Sequence, residues 1–254
     1  NETKEKLEQE GIACFPQNGD GILAETDLIV ASTAIEDTVV EIQKAKQLCI
    51  PILKRSELLA IIASSKKTIA VGGTSGKSTT SAMVYEVLEY AGLKPGIISG
   101  AGLTSLIKKG KIGNAIAGHG DWLVIEADES DGSIVQYKPE IGLLLNIDKD
   151  HQEIDELMRI FGIFKNNSGI FVTNQSHSLA KQFSQNIKLD FATEENINTG
   201  YVAVGFYQNG FAIQFKVNGV DFTLQSPGRH NMENAVAAVA VANNIGVSLE
   251  TCAA

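Results

Sequence analysis

The sequence predicts an α/β protein: a partial, doubly wound, Rossmann-like N-terminal domain, then a P-loop domain whose mostly parallel sheet carries an antiparallel extension. Three observations predict it. Short apolar runs alternate with helical segments over residues 1–65, the pattern of βα units. A glycine turn at 72–79, GGTSGKST, joins a strand to a helix. Three later runs, WLVIE (122–126), IGLLLNI (141–147) and GIFVT (169–173), are continuously apolar, as strands buried on both faces of a parallel sheet are.

Taken in order, Lys4–Glu10 reads as the end of a helix closed by Gly11. Ile12–Phe15 and Asp27–Val30 read as short strands. Asp37–Leu48 reads as a helix with Val39, Val40, Ile42 and Ala45 inward. Ile50–Leu53 is a third strand, and Ser56 is placed to cap a helix through Ala63. This is half of a doubly wound domain, and the expectation is that the natural protein begins further upstream, because a sheet without its first βα unit exposes an edge. The second domain runs over 66–254. Its strand up to Val71 enters the glycine turn, and Met83, Val84, Val87, Leu88 and Ala91 share one face of the helix behind it, ended by Gly92 and Pro95. After the parallel strands, Tyr201–Tyr207, Phe211–Val217 and Val220–Leu224 alternate, and Asn218-Gly219 is a two-residue hairpin turn. Asn231–Asn243 is an alanine- and valine-rich helix, and Ser248 begins another that the chain does not finish.

Bulk properties narrow the function. A net charge of −9 and a pI near 5.0 argue against a nucleic-acid partner. No apolar run approaches a membrane span and no signal peptide is visible, so no membrane partner is expected. Cys14, Cys49 and Cys252 lie far apart without metal spacing, which reads as reduced thiols in a cytoplasmic protein.

Four constellations carry chemistry. In the first, backbone N–H groups freed by Gly73 and Gly76, with Thr74, Ser75 and Thr79, make a seat for anionic oxygens at a helix N-terminus. Lys77 adds charge for the β/γ-phosphates and the Ser78 hydroxyl is placed to ligate Mg²⁺. Gly72 to Gly76 leaves three intervening residues where the general pattern has four, a shortened variant. The second is EADESD at 126–131, a strand's C-terminal edge where open sheets bind ligands. Glu126 is the candidate metal carboxylate there, and a solvated acidic loop is the alternative. The third, NIDKDH at 146–151, offers His151 as a second metal ligand or a plain surface histidine. The fourth, GRHNMEN at 228–234, either caps the last long helix or reads a purine edge through His230, Asn231 and Asn234.

GTSGKST, EADESD, NIDKDH and GRHNMEN occur in the order found in the Mur ligases, and the chain resembles that family, the ATP-dependent amide-forming enzymes of peptidoglycan synthesis. The resemblance runs over essentially the whole chain and is nearest to the branch that joins L-alanine to UDP-N-acetylmuramate. It implies ATP and Mg²⁺ as cofactors, a UDP-sugar carboxylate and an amino acid as substrates, and Lys77, Glu126 and His151 as catalytic groups. Ser78, Glu126 and His151 would hold metal, and His230, Asn231 and Asn234 match positions around adenine. Ser32 and Thr33 sit where the family has a turn near the UDP-sugar, with Arg229 a further substrate candidate. Family members have three domains, so the chain is expected to lack the opening UDP-binding unit and the C-terminal domain needed to close the site. Alone it is expected to bind Mg·ATP weakly or not at all and to be inactive. Ser75 replaces the histidine usual in that L-alanine-adding branch, Ser78 its threonine, and Gln152-Glu153 follow His151, where the family usually has an apolar residue and Asp. The position of the carbamylated lysine of several relatives falls near Phe161, which has no amine. A murein-recycling tripeptide ligase, a divergent paralogue and a non-catalytic nucleotide-binding module are the alternatives; a GTPase is opposed by the absence of any Asn-Lys-x-Asp motif.

Overall fold

A computed structural model describes residues 2–149 and 153–254. They divide into two compact units, one of residues up to Ile62 with Thr104–Gly113, the other of Ala63–Leu103 with Asn114–Ala254.

In the first unit α1 (Glu2–Gln9) buries no residue. β1 (Ile29–Ala31), α2 (Val40–Gln47), β2 (Ile52–Lys54) and α3 (Arg55–Ser64) follow. β1 and β2 pair in parallel, Ile29 opposite Ile52 and Ala31 opposite Lys54. Ile42 and Ala45 turn inward as expected, but Val40 is 52% exposed because α2 begins there rather than at Asp37. The strand expected over Ile12–Phe15 is absent: with only two strands in this sheet no neighbour pairs with it, and Ile12 and Phe15 are left exposed. Ser56 is not a cap. It is the buried second residue of α3, and Glu57 accepts the Lys54 N–H at 2.7 Å instead.

The second unit is built on a six-stranded sheet. β3 (Lys67–Gly72) leads into α4 (Lys77–Tyr90), then β4 (Gly96–Ile98). α5 (Thr104–Lys108) belongs to the first unit's segment, and β5 (Ala115–Ile116) returns as an antiparallel edge. β6 (Trp122–Glu126), β7 (Ile141–Leu144), α6 (Ile154–Asn167) and β8 (Ile170–Thr173) complete the order β5-β4-β6-β3-β7-β8, with every other pair parallel. Register sets Val71 beside Glu126 and Gly72 beside Leu144, so β3, β6 and β7 end together. β3 lies between strands reached by opposite crossovers, the place where such sheets open a crevice.

α6 buries Leu157, Ile160, Phe161 and Phe164, one face of a 3.6-residue period. Phe164 meets Phe171 of β8 edge-on at 5.6 Å. The alternating segments form β10 (Tyr201–Asn209), β11 (Ala212–Val217) and β12 (Val220–Leu224), joined by the short β9 (Phe191–Ala192) into a sheet of their own. A bridge from Asn174 to Phe191 helps tie β9 to the chain leaving β8. Asn218 and Gly219 take φ of 50° and 89°, the left-handed pair of a type I′ hairpin. Phe215 and Phe222, directly opposite, stack at 5.5 Å. α7 (Arg229–Asn244) buries every residue from Met232 to Ala242 except Glu233, and its alanines let it lie close against α4. α8 (Leu249–Ala253) starts with Ser248 accepting the Thr251 N–H, an N-cap. Among the described residues, no helix is long and apolar enough to cross a membrane.

Candidate functional site

β3 ends in the glycine turn because two backbone positions there suit glycine alone. Gly73 has φ of 139° and Gly76, the residue capping α4, φ of 83°. A Cβ on Gly76 would stand 2.6 Å from Asn234 Oδ1, so α7 is seated directly on the loop. The loop wraps a cavity of about 270 Å³ lined by Thr74, Ser75, Gly76, Lys77, Ser78 and Thr79. Every first-motif residue singled out in the sequence borders this one cavity, save Gly73, which holds its shape.

The acidic run after β6 sorts itself. Asp128 accepts the Ser130 N–H at 3.0 Å and Asp131 the Ser133 N–H at 2.9 Å; these carboxylates fold the turn. Glu126 and Glu129 point the other way. Glu126 accepts the Ser78 hydroxyl at 3.1 Å, the Gly100 N–H at 2.9 Å and the Ser99 hydroxyl. Glu129, 6% exposed, takes both carboxylate oxygens to the Lys77 ammonium, at 2.8 and 3.0 Å. Lys77 also donates to the Gly73 carbonyl at 2.8 Å.

A second scaffold comes from the residues after β7. The Asn146 side chain accepts the Ser75 N–H at 2.9 Å and the Thr74 hydroxyl at 3.0 Å, and donates to the Ser75 carbonyl at 3.2 Å. The Asp148 N–H donates to the Thr74 hydroxyl at 2.9 Å. His177 Nδ1 accepts the Ala180 N–H, so in the neutral ring Nε2 carries the proton and faces Asp148 Oδ1 at 3.4 Å. Glu233 accepts from Asn174. Burial pushes the Glu233 carboxyl above the usual carboxylate range, against the pull of His177, Asn174 and His230.

The remaining candidates fall in different places. Asn231 is buried and donates to the Ser226 hydroxyl and the Pro227 carbonyl at 2.8 and 2.7 Å, holding the turn into α7. The His230 ring lies over Gly228, 2.6 Å from where a Cβ would stand. Arg229 lays its guanidinium over Phe206 at 4.9 Å, at a bulge in β10 marked by Gly205 with φ of 67°. It lines a separate cavity of about 350 Å³ with Glu194 and Glu195. Ser32 borders a cavity of about 390 Å³ in the first unit, and Thr33 is exposed beside it. His151 lies outside the described residues.

Sequence reasoning assigned no separate role to Glu129, Asn146 or His177. Glu129 was visible as the residue three after Glu126, and Asn146 as the head of NIDKDH; nothing marked His177.

The donor set beside the loop suits a hard cation. Ser78 Oγ and a Glu126 oxygen are neutral and anionic oxygen donors already 3.1 Å apart, the ligand type Mg²⁺ takes while keeping positions for phosphate and water. Among the described residues, no cluster of three His, Cys, Asp or Glu side chains could replace such a shared site.

Two family descriptions match the chain: "Mur ligase middle domain" over residues 71–242 and "Mur ligase family, catalytic domain" over residues 1–67. The UDP-N-acetylmuramate–L-alanine ligase of Syntrophomonas wolfei is 34% identical over 268 residues, covering 98% of this chain and 56% of that protein. The ligase of the same name from Bdellovibrio bacteriovorus is 34% identical over 100% of this chain and 58% of its own length. The chain thus spans little more than half the length of these curated relatives. Among solved structures, UDP-N-acetylmuramate-alanine ligase MurC from Thermotoga maritima superposes with a TM-score of 0.85 at 25% identity, over 98% of this chain and 58% of its own. The ligase MPL from Neisseria meningitides, TM-score 0.78 at 22% identity over 98% and 84%, shares the fold.

Proposed function

The chain belongs to the Mur ligase family, and on that footing we propose that it serves an ATP-dependent ligase joining L-alanine to the carboxylate of UDP-N-acetylmuramate in peptidoglycan synthesis. One observation supports this reading above the rest: Lys77, Ser78 and Glu126 converge on a glycine loop at the carboxyl edge of a parallel sheet. Phosphoryl transfer needs charge neutralisation and alignment more than covalent help from the protein, and that is what these groups supply.

In the reaction a carboxylate oxygen of the sugar acid attacks the γ-phosphorus of ATP, ADP leaves, and an acyl phosphate forms. The amino acid's amine then attacks the acyl carbon, the tetrahedral adduct expels phosphate, and the ammonium proton passes to solvent. Loop N–H groups and Lys77 bind the phosphates and stabilise charge built on the transferring group. Ser78 and Glu126 would hold Mg²⁺, with His151 for a second ion; the metal supplies neutralisation of the β/γ-phosphate oxygens. Asn234, against Gly76, would read the adenine edge, with His230 and Asn231 on the same turn. Ser32 and Thr33 are proposed to meet the UDP-sugar, Arg229 a further part of the substrate.

The test is phosphate release by the protein at its full encoded length, with ATP, a panel of UDP-sugar acids and free amino acids or peptides. Release that requires UDP-N-acetylmuramate and L-alanine supports the reading. Release with a tripeptide in place of L-alanine moves the assignment to the recycling ligase. No release with any pair sinks it.

A further inference from the structure

We propose that Glu129 is an internal stand-in for phosphate: it holds Lys77 while the glycine loop is empty and must swing out for a polyphosphate to bind. The proposal rests on the loop being a polyphosphate seat, and deepens that reading by naming the competitor built into it.

An ammonium has three N–H donors and no acceptor. Around Lys77 the described residues supply three acceptors: the Gly73 carbonyl at 2.8 Å and the two oxygens of Glu129 at 2.8 and 3.0 Å. A phosphate oxygen therefore finds every donor engaged. One acceptor has to leave, and the two kinds differ in freedom. The Gly73 carbonyl is fixed by the loop's backbone, whose next N–H, that of Thr74, is tied to the Asn146 carbonyl. Glu129 reaches Lys77 on a side chain with rotatable bonds, from a turn whose shape Asp128 and Asp131 maintain without it. Glu129 can leave while the turn stays.

The pair is also well out of water, with Lys77 16% and Glu129 6% exposed. A buried ammonium without a partner is strongly disfavoured, so the empty loop gains from having a carboxylate in reach. When a polyphosphate arrives, the balance reverses. Glu126, 3.1 Å from Ser78 Oγ, is already a second negative group at the seat, and a third anion raises the repulsion on Glu129. A carboxylate that competes for Lys77 lowers the affinity for any polyanion by the stability of the pair it breaks. It also keeps the loop from binding stray anions tightly.

The experiment uses inorganic tripolyphosphate, which probes the seat without the nucleoside, titrated by calorimetry into the protein at its full encoded length. Glu129→Gln keeps the shape and a neutral hydrogen bond but removes the charge. The variant is expected to bind tripolyphosphate about tenfold more tightly than wild type, with the gain shrinking as salt is added. Equal or weaker binding by the variant overturns the proposal while leaving the phosphate-seat reading intact, provided wild type binds. No binding by either protein overturns both, and the ligase assignment is then decided by the substrate panel alone. A second measurement needs no ligand. Lys77→Met should lower the melting temperature more in the Glu129 background than in Glu129→Gln, because only in the former does the substitution break an ion pair. Equal losses in the two backgrounds would show that the side chains do not act as a pair.

Discussion

Asn146→Ala isolates the clamp that shapes the glycine loop. The substitution removes two accepted bonds, from the Ser75 N–H and the Thr74 hydroxyl, and one donated to the Ser75 carbonyl. The Thr74 N–H bond to the Asn146 main chain survives it. Ser75 is exposed and Thr74 half-buried, so water replaces part of what is lost and each bond counts near the low end, about 0.5–1 kcal/mol. Together they hold the loop with about 2 kcal/mol of support. Without the clamp the loop samples other shapes, and binding has to pay that ordering free energy, so Mg·ADP affinity should fall ~30-fold. Global stability should fall much less, because the loop can loosen without opening the sheet beneath it. Calorimetry with Mg·ADP and a thermal melt, both on the full encoded protein, separate the two effects. An affinity within about twofold of wild type, in a variant that melts normally, would refute the claim that Asn146 pre-forms the seat.

Three further outcomes follow from wholly or partly buried groups. Ser81 is fully buried in α4 and its hydroxyl has no partner among the described residues; Ser81→Ala removes an unsatisfied oxygen and adds helix propensity. It should raise stability by about 1 kcal/mol, and a urea midpoint unchanged or lowered would contradict that. Burial, helped by Glu250, pushes the Cys252 thiol up to about 11. At pH 8 roughly one molecule in a thousand is then thiolate, so a disulfide reagent should label exposed Cys49 first, with Cys252 accelerating about tenfold per pH unit; fast labelling of Cys252 at pH 8 would be the contrary result. Glu233 is a carboxyl raised by burial, so between its unfolded and folded pKa values the folded chain holds a proton the unfolded chain has lost. Its contribution to stability is therefore greatest below the unfolded value and declines as pH rises through the folded one. Glu233→Gln cannot titrate and keeps an amide oxygen for Asn174, so it should gain on wild type in urea unfolding as pH rises from acid toward neutral; a pH-independent difference would refute the shift.

How much of the fold was legible depended on how many residues shared a burial rule. β11 alternates through six residues, so periodicity finds it; α6 repeats its apolar face over four positions, yet sequence reasoning assigned no helix there. The Asn218-Gly219 turn announces itself because both residues take positive φ. β4 and β5 are three and two residues long, too short for any period to register. Ile12–Phe15 failed for the opposite reason. Its composition suits a strand, but a strand needs a neighbour, and sheet membership is a tertiary fact that four residues do not carry. Ser56 failed because a cap residue type says nothing about whether its own backbone is already helical; the chain enters α3 directly from β2.

The candidate site shows the same limit at the level of single side chains. In EADESD the four carboxylates are chemically near-equivalent, and the sequence ranks Glu126 first only because it ends a strand. What separates them is the turn that two of them build. Asp128 and Asp131 are short enough to accept N–H groups two residues ahead, so they close the chain on itself. The longer Glu126 and Glu129 then project from a fixed turn to Ser78 and Lys77. Side-chain length thus decides which acids are scaffold and which face the loop, and a reading that treats Asp and Glu alike cannot see the division. Asn146 was hidden for a related reason. Its motif drew notice for His151, whereas its own work is done across 71 residues of chain, on Ser75, and only the register that ends β3 and β7 together brings the two within reach.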